Sequence, residues 1–141
     1  MSPLDVKSPS VRSLHAAACF LMLAVVSWAL LTPDPFAVVK GGPLQVVAGF
    51  DDLVLHLGVY TVFSATCFGL VADSRDRRVR NLVVAILCLH AVGTEILQAS
   101  VPGRTADPLD AVANLTGITL GVLGTRHTVR LLRSRIVSAT A

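Results

Sequence analysis

Asp52-Leu-Val-Leu-His56-Leu-Gly-Val-Tyr60-Thr-Val-Phe-Ser-Ala-Thr-Cys67-Phe-Gly-Leu-Val-Ala72 is the stretch that decides how this chain is read. From Leu53 to Ala72 it contains no Lys, Arg, Asp or Glu. A helix of about 20 such residues reaches across the hydrocarbon of a bilayer. The run nevertheless opens on Asp52 and carries His56 one helical turn later. An ionisable group at the centre of an inserting helix costs roughly 2.5–3.5 kcal/mol, so these positions mark the first place to look for function.

Composition extends this reading to the whole chain. Its 141 residues allow one domain, and they are 53% hydrophobic but only 15% charged. The mean hydropathy is +0.70. Small soluble folds are rich in surface and cannot hide that much apolar area, so lipid is the expected solvent. Three further apolar runs stand out: Leu14–Leu31, Leu82–Gln98 and Leu109–Thr125. The first resembles a signal peptide in following Lys7 and Arg12. It is longer than a signal h-region, however, and ends in Thr32-Pro33-Asp34-Pro35 without a small-residue cleavage site, so it reads as a retained span.

The last two runs are short and interrupted. Nine Leu, Ile and Val residues between Leu82 and Gln98 contribute about −3 to −5 kcal/mol to insertion, and Glu95 with His90 cancels most of that unless Glu95 lies near a membrane surface. Pro33, Pro35, Gly41, Gly42 and Pro43 break the first connection, which also holds a short apolar stretch, Leu44–Phe50, suited to the interface. Asp73 to Arg80 is a basic turn, and Ser100 to Pro108 is a short loop whose proline suits the first turn of the next helix.

Basic residues orient the bundle. Lys7, Arg12, Arg75, Arg77, Arg78, Arg80, Arg126, Arg130, Arg133 and Arg135 fall on one side of the four runs, and only Lys40 and Arg104 on the other. By the positive-inside rule both termini are cytoplasmic. The expected architecture is an all-α, integral membrane four-helix bundle in the cell membrane. Its spans are 14–31, 53–72, 82–98 and 109–125, preceded by a cytoplasmic segment (1–13) and followed by a basic cytoplasmic tail (126–141). The net charge of +3 is accounted for by topology, with no nucleic-acid partner expected. Cys19, Cys67 and Cys88 lack any C-x-x-C spacing and read as packing residues rather than zinc ligands or a redox pair.

In that orientation the polar residues converge. Asp52, His56 and Tyr60, at i, i+4 and i+8, share one face over about 12 Å of rise. Glu95 and Gln98 come near the outer end of the third helix. Asp110, Asn114, Gly117 and Gly121 form a stripe descending the fourth, with Arg104 and Asp107 in the loop above. All of them fall in the extracytoplasmic half.

The same residues carry a resemblance. Asp52-Leu-Val-Leu-His56-Leu-Gly-Val-Tyr60, then Thr94-Glu95-Ile-Leu-Gln98, then Pro102-Gly103-Arg104-Thr-Ala-Asp107-Pro-Leu-Asp110-Ala-Val-Ala-Asn114-Leu-Thr-Gly117 is similar to the VanZ-like family, in family order and over roughly Asp51 to Gly121. One departure is Leu53, where that family often has a basic residue after the first Asp. The resemblance implies a small multi-pass membrane protein of the cell envelope. The family's namesake is associated with glycopeptide (teicoplanin) resistance.

The residues themselves leave two functions open. In the first, an extracytoplasmic polar pocket binds or modifies a lipid-linked or cell-wall substrate: His56 and Glu95 exchange protons, and Asp52 and Asp110 orient them or a cation. Arg104 holds an anionic group through its guanidinium fork, while Tyr60, Gln98, Asp107 and Asn114 complete the binding set. In the second, the protein is a non-enzymatic membrane module in which the same groups fix helix packing. One histidine is a thin ligand set, so no metal is assigned, and no cofactor is identified. Membrane lipid is the expected surrounding partner. His90 points away from Glu95 and reads as a packing residue.

Overall fold

Three of the four helices begin at an aspartate whose carboxylate takes up a free N–H of the first turn, the usual chemistry of an N-cap. In the computed structural model, which describes residues 9–39, 41, 42, 46 and 49–139, Asp51 accepts from Leu53 N (3.0 Å) at the head of α2, Asp52–Gly69. Asp76 accepts from Arg78 N (2.7 Å) ahead of α3, Arg77–Gln98. Asp107 accepts from Leu109 N (2.8 Å) ahead of α4, Pro108–Ala139, where Pro108 fills the first position without wasting a donor. The remaining helix, α1, runs Pro9–Leu31 and is followed by a 3-10 turn at Pro35–Val39. Lys7, Lys40, Pro43 and most of the Leu44–Phe50 stretch lie outside the described residues.

Helix ends differ from the limits of the apolar runs for local reasons. α3 starts at Arg77, not Leu82, because Asp76 caps it and arginine is a good helix former. α2 stops at Gly69, where Leu70 N turns back onto Cys67 O and Phe68 O. α4 continues well past Thr125 to Ala139, about 48 Å for its 32 residues.

α1, α2 and α3 are each long and apolar enough to cross a membrane. α4 falls short of them in apolar character, since Asp110, Asn114, Thr116 and Thr119 interrupt its first half. The burial pattern is inverted relative to a soluble bundle. His56, Ser64, Thr94, Glu95, Gln98, Asp110 and Asn114 are all buried, while Leu14, Phe20 and Leu89 are each 73% exposed. An apolar exterior around a polar centre suits a lipid solvent.

The most intimate contact is between α2 and α4. Gly117 and Gly121 let the backbones approach: a Cβ on Gly117 would lie 3.0 Å from Thr61 N, and one on Gly121 would collide with Ser64 Oγ and Thr61 O. Ser64 Oγ donates to Gly117 O (3.4 Å) across this seam. Tyr60, Phe63, Phe68, Leu87, Ala91, Ile118 and Val122 form the core, with Val26 and Leu30 of α1 packed onto it.

A polar clasp joins the first three helices inside that core. His90 Nε2 lies 2.9 Å from Ser27 Oγ, and His90 Nδ1 lies 3.0 Å from Tyr60 OH, which also meets Thr94 Oγ1 at 3.1 Å. Cys19 and Cys67 neighbour each other across α1 and α2 as free thiols. The opposite end of the bundle is fastened by Arg133 to Asp73 (2.7 Å), Arg80 to Ser74 O, and Arg126 stacked 5.1 Å over the Phe68 ring.

Candidate functional site

Where the C-terminal ends of α1 and α3 meet the N-terminal ends of α2 and α4, the polar residues gather. Helical spacing does much of the positioning, because Asp52 and His56 lie one turn apart on α2, as do Asp110 and Asn114 on α4. His56, only 3% exposed, stands between the two helices. Its Nδ1 donates to Asn114 Oδ1 at 3.0 Å, since an amide oxygen only accepts. Its Nε2 faces Asp52 Oδ1 and Asp110 Oδ2, each 3.9 Å away. Those gaps are too long for hydrogen bonds but short enough for strong charge interaction. Asp52, His56 and Asp110 each offer a ligand atom, all within 4.8 Å of one another, a grouping that could hold a metal ion.

Glu95 borders this trio and is 6% exposed. Its Oε1 accepts from the Asp107 backbone N–H at 2.8 Å, while Oε2 is buried with no hydrogen-bond partner among the described residues. Asn114 Nδ2 is orphaned in the same way. Glu95 is near enough for the charges of His56 and Asp110 to act on it. The arrangement can pass protons among His56, Asp110 and Glu95, or surround a cation.

The other expected site residues have structural partners. Gln98 Nε2 donates to Leu30 O (3.0 Å), and Arg104 donates from Nε to Thr32 O and from Nη2 to Ala29 O, both at 3.3 Å. These carbonyls belong to the end of α1 and have no helical partner of their own, so Gln98 and Arg104 cap α1 from α3 and the following loop. The guanidinium also holds Asp52 Oδ2 at 3.8 Å through Nη1. A tight turn aims it: Arg104 N bonds Val101 O (3.1 Å) around Pro102 and Gly103, and Gly103 has φ +79°, the signature of a type II turn. Asp107 caps α4, and the Tyr60 hydroxyl belongs to the clasp with His90 and Thr94.

Ser27, His90 and Thr94 were not read as one unit from sequence. The available signal was the spacing His90, Thr94, Gln98 at i, i+4 and i+8, which puts three polar groups on one face of α3.

Two cavities open on this end. A polar cleft of about 420 Å³ is lined by Asp51, Asp52, Gln98, Arg104, Asp107 and Asp110, among others. Beside it, an apolar groove of about 290 Å³ runs between α1 and α2, lined by Val25, Trp28, Leu30, Leu55, Val59 and the Tyr60 ring. Pro35, Phe36, Asp52 and Arg104 border both, so the two spaces adjoin. No family model, curated protein or solved structure matches the chain.

Proposed function

We propose that this chain is a VanZ-like multi-pass membrane protein whose extracytoplasmic cleft takes the polar headgroup of an amphiphile, most simply a lipid-linked envelope substrate. The observation that carries this reading is the adjoining of a charged cleft and an apolar groove across Asp52 and Arg104. A headgroup seated against Asp52, Arg104 and Asp110 leaves its hydrocarbon tail beside Trp28, Leu55 and Val59, an apolar surface that keeps the tail out of water. The cleft lies at the end opposite Arg80, Arg126 and Arg133, and the positive-inside rule then turns it outward and leaves both termini in the cytoplasm. With no cation on His56 Nε2, His56 and Glu95 are its acid/base pair.

A non-enzymatic packing module is the second reading. It is favoured by the engagement of Tyr60, Gln98, Arg104 and Asp107 with helix ends and helix contacts. The two separate experimentally. Protein extracted in lipid nanodiscs should carry about one enriched amphiphile per chain by native mass spectrometry. His56→Gln and Glu95→Gln should accumulate normally yet lose it. Variants that fail to accumulate, or wild type without an enriched amphiphile, would assign the network to packing. A changed teicoplanin susceptibility on expression in a sensitive host would attach the namesake's phenotype to this chain; unchanged susceptibility would detach it.

A further inference from the structure

We infer that Asp52, His56 and Asp110 form a binding site for a single divalent cation of the manganese or zinc kind. The site itself does not depend on which amphiphile enters the cleft. Because His56 Nδ1 donates to Asn114, the neutral ring presents the Nε2 lone pair to Asp52 and Asp110. With the ring in that neutral form, three electron-rich atoms face one another, an arrangement that suits a positive charge at their centre. Metal–ligand bonds near 2.1 Å put neighbouring ligand atoms about 3.0–3.4 Å apart. The 3.9 Å gaps to His56 therefore need to close by less than an ångström, and the wider separation within the trio, up to 4.8 Å, by more than that. Asp52, whose side chain is 59% exposed and is engaged by Arg104 at 3.8 Å, has room to make that adjustment, while buried His56 and Asp110 supply the fixed part.

A second observation points the same way. Glu95 is more than nine-tenths buried beside the trio, and its Oε2 has no donor among the described residues. A buried carboxylate oxygen without a partner is costly unless a cation or its bound water faces it. The lining adds to the demand: Asp34, Asp51, Asp52, Asp107 and Asp110 face the cleft, and Arg104 is the one cation among its described lining residues. One imidazole with two carboxylates is a mixed nitrogen and oxygen set suited to Mn²⁺ or Zn²⁺, with further positions open to water or ligand. Asn114 orients the imidazole from behind, as outer partners of metal-bound histidines do. On the proposed function above, such an ion also bridges an anionic headgroup to a cleft that is otherwise strongly negative.

Chelator-stripped protein in nanodiscs, titrated with Mn²⁺ and followed by electron paramagnetic resonance, tests this directly. One ion per chain should bind, show modulation from one imidazole nitrogen, and be displaced by Zn²⁺. Asp52→Asn, at an exposed position that does not endanger the fold, should weaken binding at least tenfold. His56→Gln should abolish the nitrogen signal; if it fails to accumulate, Asp52→Asn alone decides. No saturable binding up to millimolar Mn²⁺, binding without nitrogen coupling, or affinity unchanged in Asp52→Asn would overturn the inference. Amphiphile retained by metal-free protein that also binds no Mn²⁺ would sink the cation site and leave the substrate reading standing. Mn²⁺ binding without any amphiphile would do the reverse.

Discussion

At the scale of the residue, Arg104 is the group whose work differs most from its appearance. A lone arginine in the loop between α3 and α4 invites an anion-binding role, yet two of its nitrogens donate to Thr32 O and Ala29 O. Arg104→Lys keeps the charge but loses the planar fork that reaches two carbonyls at once. It should lower stability by about 1–3 kcal/mol, read as the thermal midpoint in detergent. Unchanged stability with lost amphiphile would return the guanidinium to ligand binding. The contrast also explains what was legible in the sequence. Asp52 with His56, and Asp110 with Asn114, announce themselves by helical spacing, and the structure brings those pairs together across α2 and α4. The partners of Gln98, Arg104 and Glu95 include the carbonyls of Leu30, Thr32 and Ala29 and the N–H of Asp107. Every residue has such backbone groups, so side-chain pattern alone gives no sign of which ones a side chain will find.

At the scale of the element, α4 is a helix with two differently built faces. Gly117 and Gly121 sit where α2 lies against it, whereas a Cβ on Gly124 meets nothing within 4 Å. The three glycines therefore make a matched experiment. Gly121→Ala forces a methyl against Ser64 Oγ and the backbone at Thr61 and Ala65, so α2 and α4 must separate. A loss of about 1–3 kcal/mol or more is expected from overpacking. Gly124→Ala should be neutral, or stabilising by up to about 1 kcal/mol from helix propensity. Equal effects of the two in detergent unfolding would contradict the seam. The Gly117-x-x-x-Gly121 spacing was readable in advance, and so was the apolar stretch containing it. The continuation of α4 to Ala139 was not, because Arg126, Arg130, Arg133 and Arg135 end the apolar run without ending the helix. Arginine favours helix in water and in the interface alike, so hydropathy marks where lipid contact stops and not where backbone hydrogen bonding stops.

At the scale of the whole molecule, the two ends of the bundle are chemically opposed. Carboxylates crowd the end where α2 and α4 begin, and Arg80, Arg126 and Arg133 fasten the other. Translocating arginines is unfavourable, so this polarity should fix orientation. Cysteine labelling reads it out. Cys19, Cys67 and Cys88 are half-buried, so replacing them with alanine gives a background on which single exposed cysteines can be placed. Thr105→Cys, in the exposed loop over the cleft, should react with a membrane-impermeant maleimide on intact cells. Arg78→Cys, in the exposed first turn of α3, should react only after the membrane is opened. Both sites labelling from outside would mean that α3 does not cross, and the reverse pattern would turn the cleft toward the cytoplasm. The reversed pattern removes the envelope substrate from reach, whereas the cation site, formed by Asp52, His56 and Asp110, would keep its geometry on whichever side it faced.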